Sequence, residues 1–501
     1  MGKTIIEKIL SRHSNKTLKP GDSADILIDA RIARDFGGAN VVNHLKNRNL
    51  KIDDPTKTFF TFDCNPGGSD QKYATNQHLC RIFARKNRVR VFDINSGIGT
   101  HIAIEQGLVA PGGTLVSTDS HANILGAIGA FGQGMGDLDI AAAFAYGKIW
   151  FKVPRSIKIV LQGTLPDGAT AKDIVLKLLK EFGPSGLLGY ASEFYGDAVH
   201  NLSISQRITI SSMATEMAGI IAIFPPTDEI ILFCEKVNTK TFEPAFADRD
   251  AEYDKTVEII LNDLEPLISR PGHPDDVVPV SSVQGKKIDS VFIGSCTNGR
   301  FEDMAAAARI LKNKKVAPGV ILKIVPSTRA VWQQCLKQGL IDIFMKAGAL
   351  VGNPGCAGCA AGQIGQNGPF EVTVSTGNRN YPGKQGKGDV YLASPETAAA
   401  SAVSGVITTT EHMPAEPALF VLGKPESGST IQQPKPAEEK VKKPVKLKGR
   451  VWVIPVNNID TDMIFHNRYL SITDIAQMGQ HTMDNLKGWE DFSQKASQGD
   501  I

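Results

Sequence analysis

Three cysteines in this sequence stand in glycine-rich turns. Cys296 lies in Gly294-Ser295-Cys296-Thr297-Asn298-Gly299, and Cys356 and Cys359 lie in Gly352-Asn353-Pro354-Gly355-Cys356-Ala357-Gly358-Cys359. The first turn follows Ser290-Val291-Phe292-Ile293, which reads as a buried strand, and the second follows the apolar Ala349-Leu350-Val351. Glycine at a strand end lets backbone approach a ligand closely. Three thiolates from two loops can hold a metal centre and leave one position open. Structural zinc is usually closed by four Cys or His ligands, and an iron–sulfur cluster is normally held by four cysteines. With three ligands, one iron would remain open to substrate as a Lewis acid. A single C-x-x-C is also compatible with a redox pair or a structural turn. Two histidines, His101 and His121, each fall on a polar loop after a strand, beside Gly, Ser or Asp. Histidine is the usual acid–base residue near neutral pH.

The residues flanking the cysteines carry more information. Gly-Ser-Cys-Thr-Asn-Gly followed by Phe301-Glu302-Asp303-Met304, then Asn-Pro-Gly-Cys-x-x-Cys, resembles the aconitase superfamily, which includes aconitase, homoaconitase and 3-isopropylmalate dehydratase. The resemblance implies a 4Fe–4S cluster on Cys296, Cys356 and Cys359. It implies a hydro-lyase that isomerises a hydroxy di- or tricarboxylic acid through an unsaturated intermediate, closer to the 3-isopropylmalate dehydratase and homoaconitase branch. Alternatives are citrate–isocitrate aconitate hydratase, a catalytically dead homologue, and a non-catalytic RNA-binding or iron-sensing homologue. The same resemblance matches Asp119-Ser120-His121 and the Gly97 to His101 element with Glu105-Gln106-Gly107. It pairs His101 with Asp119, and His121 with Glu216, as catalytic residues. A carboxylate partner fixes a histidine's tautomer and raises its basicity. Ser120, Arg379 and Lys384 are the implied substrate binders, Arg379 with a fork suited to a carboxylate. Lys384 stands where the family usually has a second Arg, Ser212 where Asn is usual, and Asp63-Cys64 where many members have Asp-His; no role is assigned to Cys64.

These residues need elements to position them. Thr58 to Phe62, Val89 to Phe92, Gly113 to Ser117, Ile157 to Leu161, Ile288 to Ile293, Val320 to Val325 and Val372 to Ser375 read as strands, with helical patterns between them. Repeated strand, polar loop and helix predict an α/β layered fold with its ligand at the carboxyl ends of the strands. The expected division is three α/β domains, 1–160, 161–281 and 282–423, then a linker at 424–449. The piece 450–501 resembles the start of the family's swivel domain, through Asn457 to Asp462 and Arg468-Tyr469-Leu470. The family's Gly-Ser-Ser-Arg loop is absent, so the expectation is a swivel domain completed by further C-terminal sequence or by a separate small subunit. Asp22 to Arg34 mixes apolar and charged residues and has no clear element type. The glycine-rich Gly126 to Gly136 reads as a closely packed helix rather than a phosphate loop.

Composition is that of an ordinary globular protein, 42% hydrophobic and 21% charged. No apolar run approaches the roughly 20 residues of a membrane helix. Seven cysteines is few for 501 residues, which fits a reducing compartment, and the expected location is cytoplasmic. Lys424 to Arg450 holds eight Lys and Arg against three Glu, a surplus of five; with a whole-chain charge of +3, the remainder is slightly acidic at −2. A basic nucleic-acid face is therefore not expected.

Overall fold

The computed structural model describes residues 2–66, 71–238, 240–359, 364–418, 446, 448–457, 459, 461–466, 469, 475–497 and 500. The chain divides into two units, Met1–Val421 and Leu422–Ile501.

The first unit is α/β and holds two parallel sheets, one mixed sheet and a two-stranded antiparallel sheet. In chain order its strands are β1 (Ser23–Leu27), β2 (Ala30–Arg34), β3 (Thr58–Thr61), β4 (Arg90–Phe92), β5 (Thr114–Ser117), β6 (Phe131–Gly134) and β7 (Lys148–Lys152). They continue with β8 (Arg155–Gln162), β9 (Tyr190–Tyr195), β10 (Ile221–Ile223), β11 (Lys255–Ile260), β12 (Leu267–Ser269) and β13 (Val277–Pro279). The last five are β14 (Ser290–Ile293), β15 (Ile321–Ile324), β16 (Leu350–Val351), β17 (Val372–Ser375) and β18 (Asp389–Leu392). One sheet has the order β4-β3-β2-β5-β6, a second β10-β9-β8-β11, and a third β13-β12-β18-β17-β14-β15-β16. Every pairing is parallel in the first two sheets, and in the third from β18 to β16; β12 pairs antiparallel with both β13 and β18. Sheet membership changes between β7 and β8 and again between β11 and β12. The expected borders at 160 and 281 therefore fall inside β8 and after β13.

Strands buried on both faces read as continuous apolar runs, as in Thr58-Phe59-Phe60-Thr61, where all four residues are buried. The ambiguous stretch before Arg34 is two strands in different settings. β1 alternates exposed and buried and pairs antiparallel with β7, whereas β2 is buried throughout at the centre of its sheet. Arg31 and Arg34 hid that strand; both charges are paired inside, Arg31 with Asp53 and Arg34 with Asp63 and Asp119.

The glycine-rich stretch is not one helix. A 3-10 run, Ala122–Ile128, ends at Gly129 and the chain then enters β6. Its glycines serve close approach. A Cβ on Gly126 would collide with the carbonyl of Ala222, and one on Gly132 with that of Ala122.

The expected linker at 424–449 lies almost wholly outside the described residues. In the second unit Trp452 packs edge-on against Trp489 and Phe492, and its indole N–H donates to Asp500 at 2.7 Å.

Candidate active site

Two sheets of the first unit reverse their winding at a point where neighbouring strand ends diverge. Ligands in open α/β sheets bind at such points, outside the carboxyl ends of the strands. In the first sheet the reversal lies between β2 and β5. The β2 end carries Arg34-Asp35 and the β5 end leads into Asp119-Ser120-His121. In the third sheet it lies between β14 and β17, whose ends lead into Cys296 and into Asn378-Arg379. The two reversal points face each other. Ile98 N–H donates to the Ser327 carbonyl at 2.9 Å, and Cys356 N–H to the Asp63 carbonyl at 2.9 Å. His101 Nε2 lies 2.9 Å from the Cys296 carbonyl, and Arg34 Nη2 donates to Cys356 Sγ at 2.7 Å.

Most of the residues singled out from sequence come together here. Cys296 and Cys356 are buried in one small apolar cluster with Ile98. Cys296 Sγ is 3.3 Å from Asn378 Oδ1. His121 Nε2 is 3.1 Å from Glu216 Oε1, and Arg379 Nε donates to that same oxygen at 2.7 Å. Glu216 reaches the site from a 3-10 turn, Ala214–Met217, that follows helix Ile204–Ser212. Ser120 is exposed at the edge, its Oγ 3.3 Å from His121 Nδ1. Lys384 is half-buried in the turn after Arg379, and among the described residues its ammonium has no hydrogen-bond or ion-pair partner. Cys359 closes the short 3-10 turn from Ala357; its thiol lies outside the described residues. Ser212 donates to the Thr209 carbonyl at 2.9 Å and lies 3.0 Å from Thr297 Oγ1, tying its helix to the Cys296 loop.

One expected pairing is not made. His101 is not hydrogen-bonded to Asp119. Arg34 reaches Asp119 first, with Nη1 3.0 Å from Oδ1, and the same carboxylate accepts from His121 N–H at 3.0 Å. His101 instead uses Nε2 on the Cys296 carbonyl. A carbonyl can only accept, so Nε2 carries the proton and Nδ1 presents a lone pair.

Sequence reasoning missed Arg34 and Lys172. Arg34 sits in a strand that its own charge disguised. Lys172 is fully buried, with Nζ donating to the carbonyls of Thr376 and Gly377 at 3.3 and 2.7 Å. The capping box Thr170 to Asp173 opens its helix, but nothing in it signals a buried lysine.

The donor set fits a group held by thiolates. Two buried thiols converge, and around them four buried side-chain atoms have no hydrogen-bond partner among the described residues: His101 Nδ1, Asp119 Oδ2, Glu216 Oε2 and Asn378 Nδ2. Buried polar atoms are rarely left so, which argues that a polar ligand belongs between them. A second cluster, Asp35, Asp63 and Cys64, brings its ligand atoms within 4.8 Å. Its Asp35 is already consumed, accepting the N–H groups of Asp63, Cys64 and Asn65 and the amide of Gln77.

Residues 7–286 and 281–405 match the Aconitase family (aconitate hydratase). The chain belongs to the aconitase family. It is 39% identical to 3-isopropylmalate dehydratase large subunit 1 of Methanopyrus kandleri over 81% of this chain and 99% of that protein. It is 38% identical to 3-isopropylmalate dehydratase large subunit 1 of Thermotoga maritima, over 81% and 99%. The homoaconitase large subunit of Thermus thermophilus is 37% identical over 83% of this chain and 99% of that one. As a member of this family of dehydratases the chain is a hydro-lyase. No helix among its described residues is long and apolar enough to cross a membrane.

The charges of this aconitase-family site are set by burial and by close partners. Burial, with Arg300 nearby, pushes His101 down to about 3, so it is neutral. Burial alone would also lower His121, but Cys296 and Glu216 beside it raise it well above the ordinary histidine value. Burial raises Glu216 and Asp119, yet the cations win in both cases. His121 and Arg379 hold Glu216 below the usual carboxylate range, and Arg34 and His121 do so for Asp119. At Asp63 the balance reverses, and burial lifts its carboxyl to about 6 despite Arg34. The site thus sets a neutral imidazole and a charged one on either side of Cys296.

Proposed function

We propose that this enzyme isomerises a hydroxy di- or tricarboxylic acid of the 3-isopropylmalate or homoaconitate type by dehydration and rehydration, in the cytoplasm, with a 4Fe–4S cluster on Cys296, Cys356 and Cys359. The carrying observation is the convergence of two buried thiols, a neutral His101, a His121–Glu216 pair and Arg379 between two facing reversal points. The cluster, when bound, supplies a Lewis-acidic iron that polarises the substrate hydroxyl. Arg379, aimed by Glu216, grips a substrate carboxylate. Lys384 adds a second cation without Arg's fork. His121, kept charged by Glu216, gives a proton to the departing hydroxyl, and the lone pair at His101 Nδ1 accepts a hydrogen bond from the group there. Ser120 orients substrate at the rim. Relatives named as large subunits support a separate small subunit that completes the site.

The test is anaerobic reconstitution with iron and sulfide, followed by turnover assays with 3-isopropylmalate, homoaconitate and citrate in the presence of a dehydratase small subunit. Wild-type protein should develop broad visible absorption, and C296S, C356S and C359S should each lose most of it. Full absorption in all three variants would sink the cluster assignment. Turnover of citrate alone would move the substrate to the aconitate hydratase type.

A further inference from the structure

Arg34 touches more of the site than any residue named from the sequence. Its Nε donates to Asp63 Oδ1 at 2.7 Å, its Nη1 faces Asp119 Oδ1 at 3.0 Å, and its Nη2 donates to Cys356 Sγ at 2.7 Å. Each of the three guanidinium nitrogens is therefore engaged, and the planar fork permits little rotation. The surroundings hold it further. Asp63 also accepts from Gly99 N–H at 2.9 Å, and its carbonyl accepts from the N–H of Cys356 itself. The arginine thus spans the end of β2, the end of β3, the end of β5 and the cysteine turn of the third sheet. A cation this buried is costly unless its charge is matched. Asp63 and Asp119 already match it, so a third contact, directed at a sulfur, is not needed to neutralise the arginine.

We infer that Arg34 is a positioning residue that acts through Cys356: its N–H···S contact fixes the thiolate of that cluster ligand and raises the reduction potential of the bound iron–sulfur cluster. The inference rests on the cluster reading above. Hydrogen bonds to cluster sulfurs and net charge near them are among the levers that set such potentials. A donor on the sulfur stabilises the form that has gained an electron, and so does a positive charge. Removing Arg34 withdraws both and also takes the matching guanidinium from Asp119 beside the cluster. All three changes act in one direction, toward a harder reduction.

The experiment uses the full chain, reconstituted anaerobically, with the wild type and the variants R34K and R34Q. Potentiometric titration followed by electron paramagnetic resonance reads the one-electron reduction of the cluster, independently of turnover. At the wild-type midpoint, R34Q should show at least a tenfold lower reduced-to-oxidised ratio, which corresponds to about 59 mV for one electron. R34K, which keeps the charge but not the fork, should fall between the two. Resonance Raman should show shifted Fe–S stretching bands in both variants. Loss of cluster from R34Q with a native circular dichroism spectrum supports the positioning role, because a clamp on one ligand has then been removed. In that case R34K carries the measurement of potential. A cluster in R34Q with wild-type potential and wild-type Raman bands would overturn the inference and leave the cluster reading intact. Wild-type bands and potential in R34K, with R34Q unloaded, would overturn it as well. A wild-type chain that takes up no cluster would overturn both.

Discussion

At the scale of single residues Glu216 Oε1 takes His121 on one side and Arg379 on the other. Removing its charge should weaken both at once. In E216Q one amide oxygen can still accept one of the two donors, but it no longer favours the charged imidazole. We expect kcat to fall by about 10²–10⁴, the usual worth of a positioned proton donor. KM should rise as Arg379 loses its aim, and the visible absorption of the cluster should stay unchanged. An unchanged kcat would remove His121 from the proton path.

This pair was legible because the family motif carries both members. The partner of His101 was not. Its assignment to Asp119 required that nothing else compete for that carboxylate, and Arg34 does. Which of several buried carboxylates an arginine reaches is a matter of three-dimensional distance, and a sequence with no visible periodicity around Arg34 does not hold it. Cys64, buried with Sγ 3.7 Å from Asp63 Oδ1, gains no role from its surroundings either.

At the scale of elements, the site is made of strand ends, and strand ends were the easiest part to read. Apolar β-branched and aromatic runs closing in Gly, Asp, Asn or Ser marked β3, β4, β5, β14 and β17 in advance. Elements that break the apolar pattern for a reason were missed, such as β2 with its paired arginines and the 3-10 run and strand that share the glycines of 126–134. The helix Ala171–Phe182 shows a subtler limit. Its second residue, Lys172, places a buried positive charge at the positive end of the helix dipole, and its ammonium holds two carbonyls of the turn that leads to Asn378 and Arg379. Burial is the largest influence and brings its pKa from 10.5 down to about 8, against the opposing pull of Glu216 and Cys296. Between those two values the unfolded chain holds a proton that the folded one has released, so folding is favoured increasingly as pH rises through the window. Wild-type protein should therefore gain thermal stability relative to K172M between pH 8 and about 10.5. Parallel melting curves across that range read the difference, and a difference that does not change with pH would show that burial does not lower the pKa of Lys172.

At the scale of the whole molecule, every residue placed in the site, from Arg34 to Lys384, belongs to the unit Met1–Val421. That unit contains all four sheets of the described residues, the four main apolar cores, and both reversal points whose mutual contacts hold the cysteines. The Methanopyrus kandleri large subunit is covered over 99% of its own length by 81% of this chain, so its length is close to that of this unit. The hydrogen bonds that fix the site, from Cys356 N–H to Asp63 and from Ile98 N–H to Ser327 among them, are internal to the unit. A chain ended after Val421 should therefore fold on its own, with a circular dichroism spectrum of mixed helix and strand and one cooperative melt. On anaerobic reconstitution it should take up the cluster to the same extent as the 501-residue chain, with the same visible absorption. It should also respond to R34Q with the same change of potential, since that contact lies within the unit. Failure of the shortened chain to load a cluster that the full chain loads would mean that residues after Val421 hold the site together, and the division of labour between the two units would have to be drawn elsewhere.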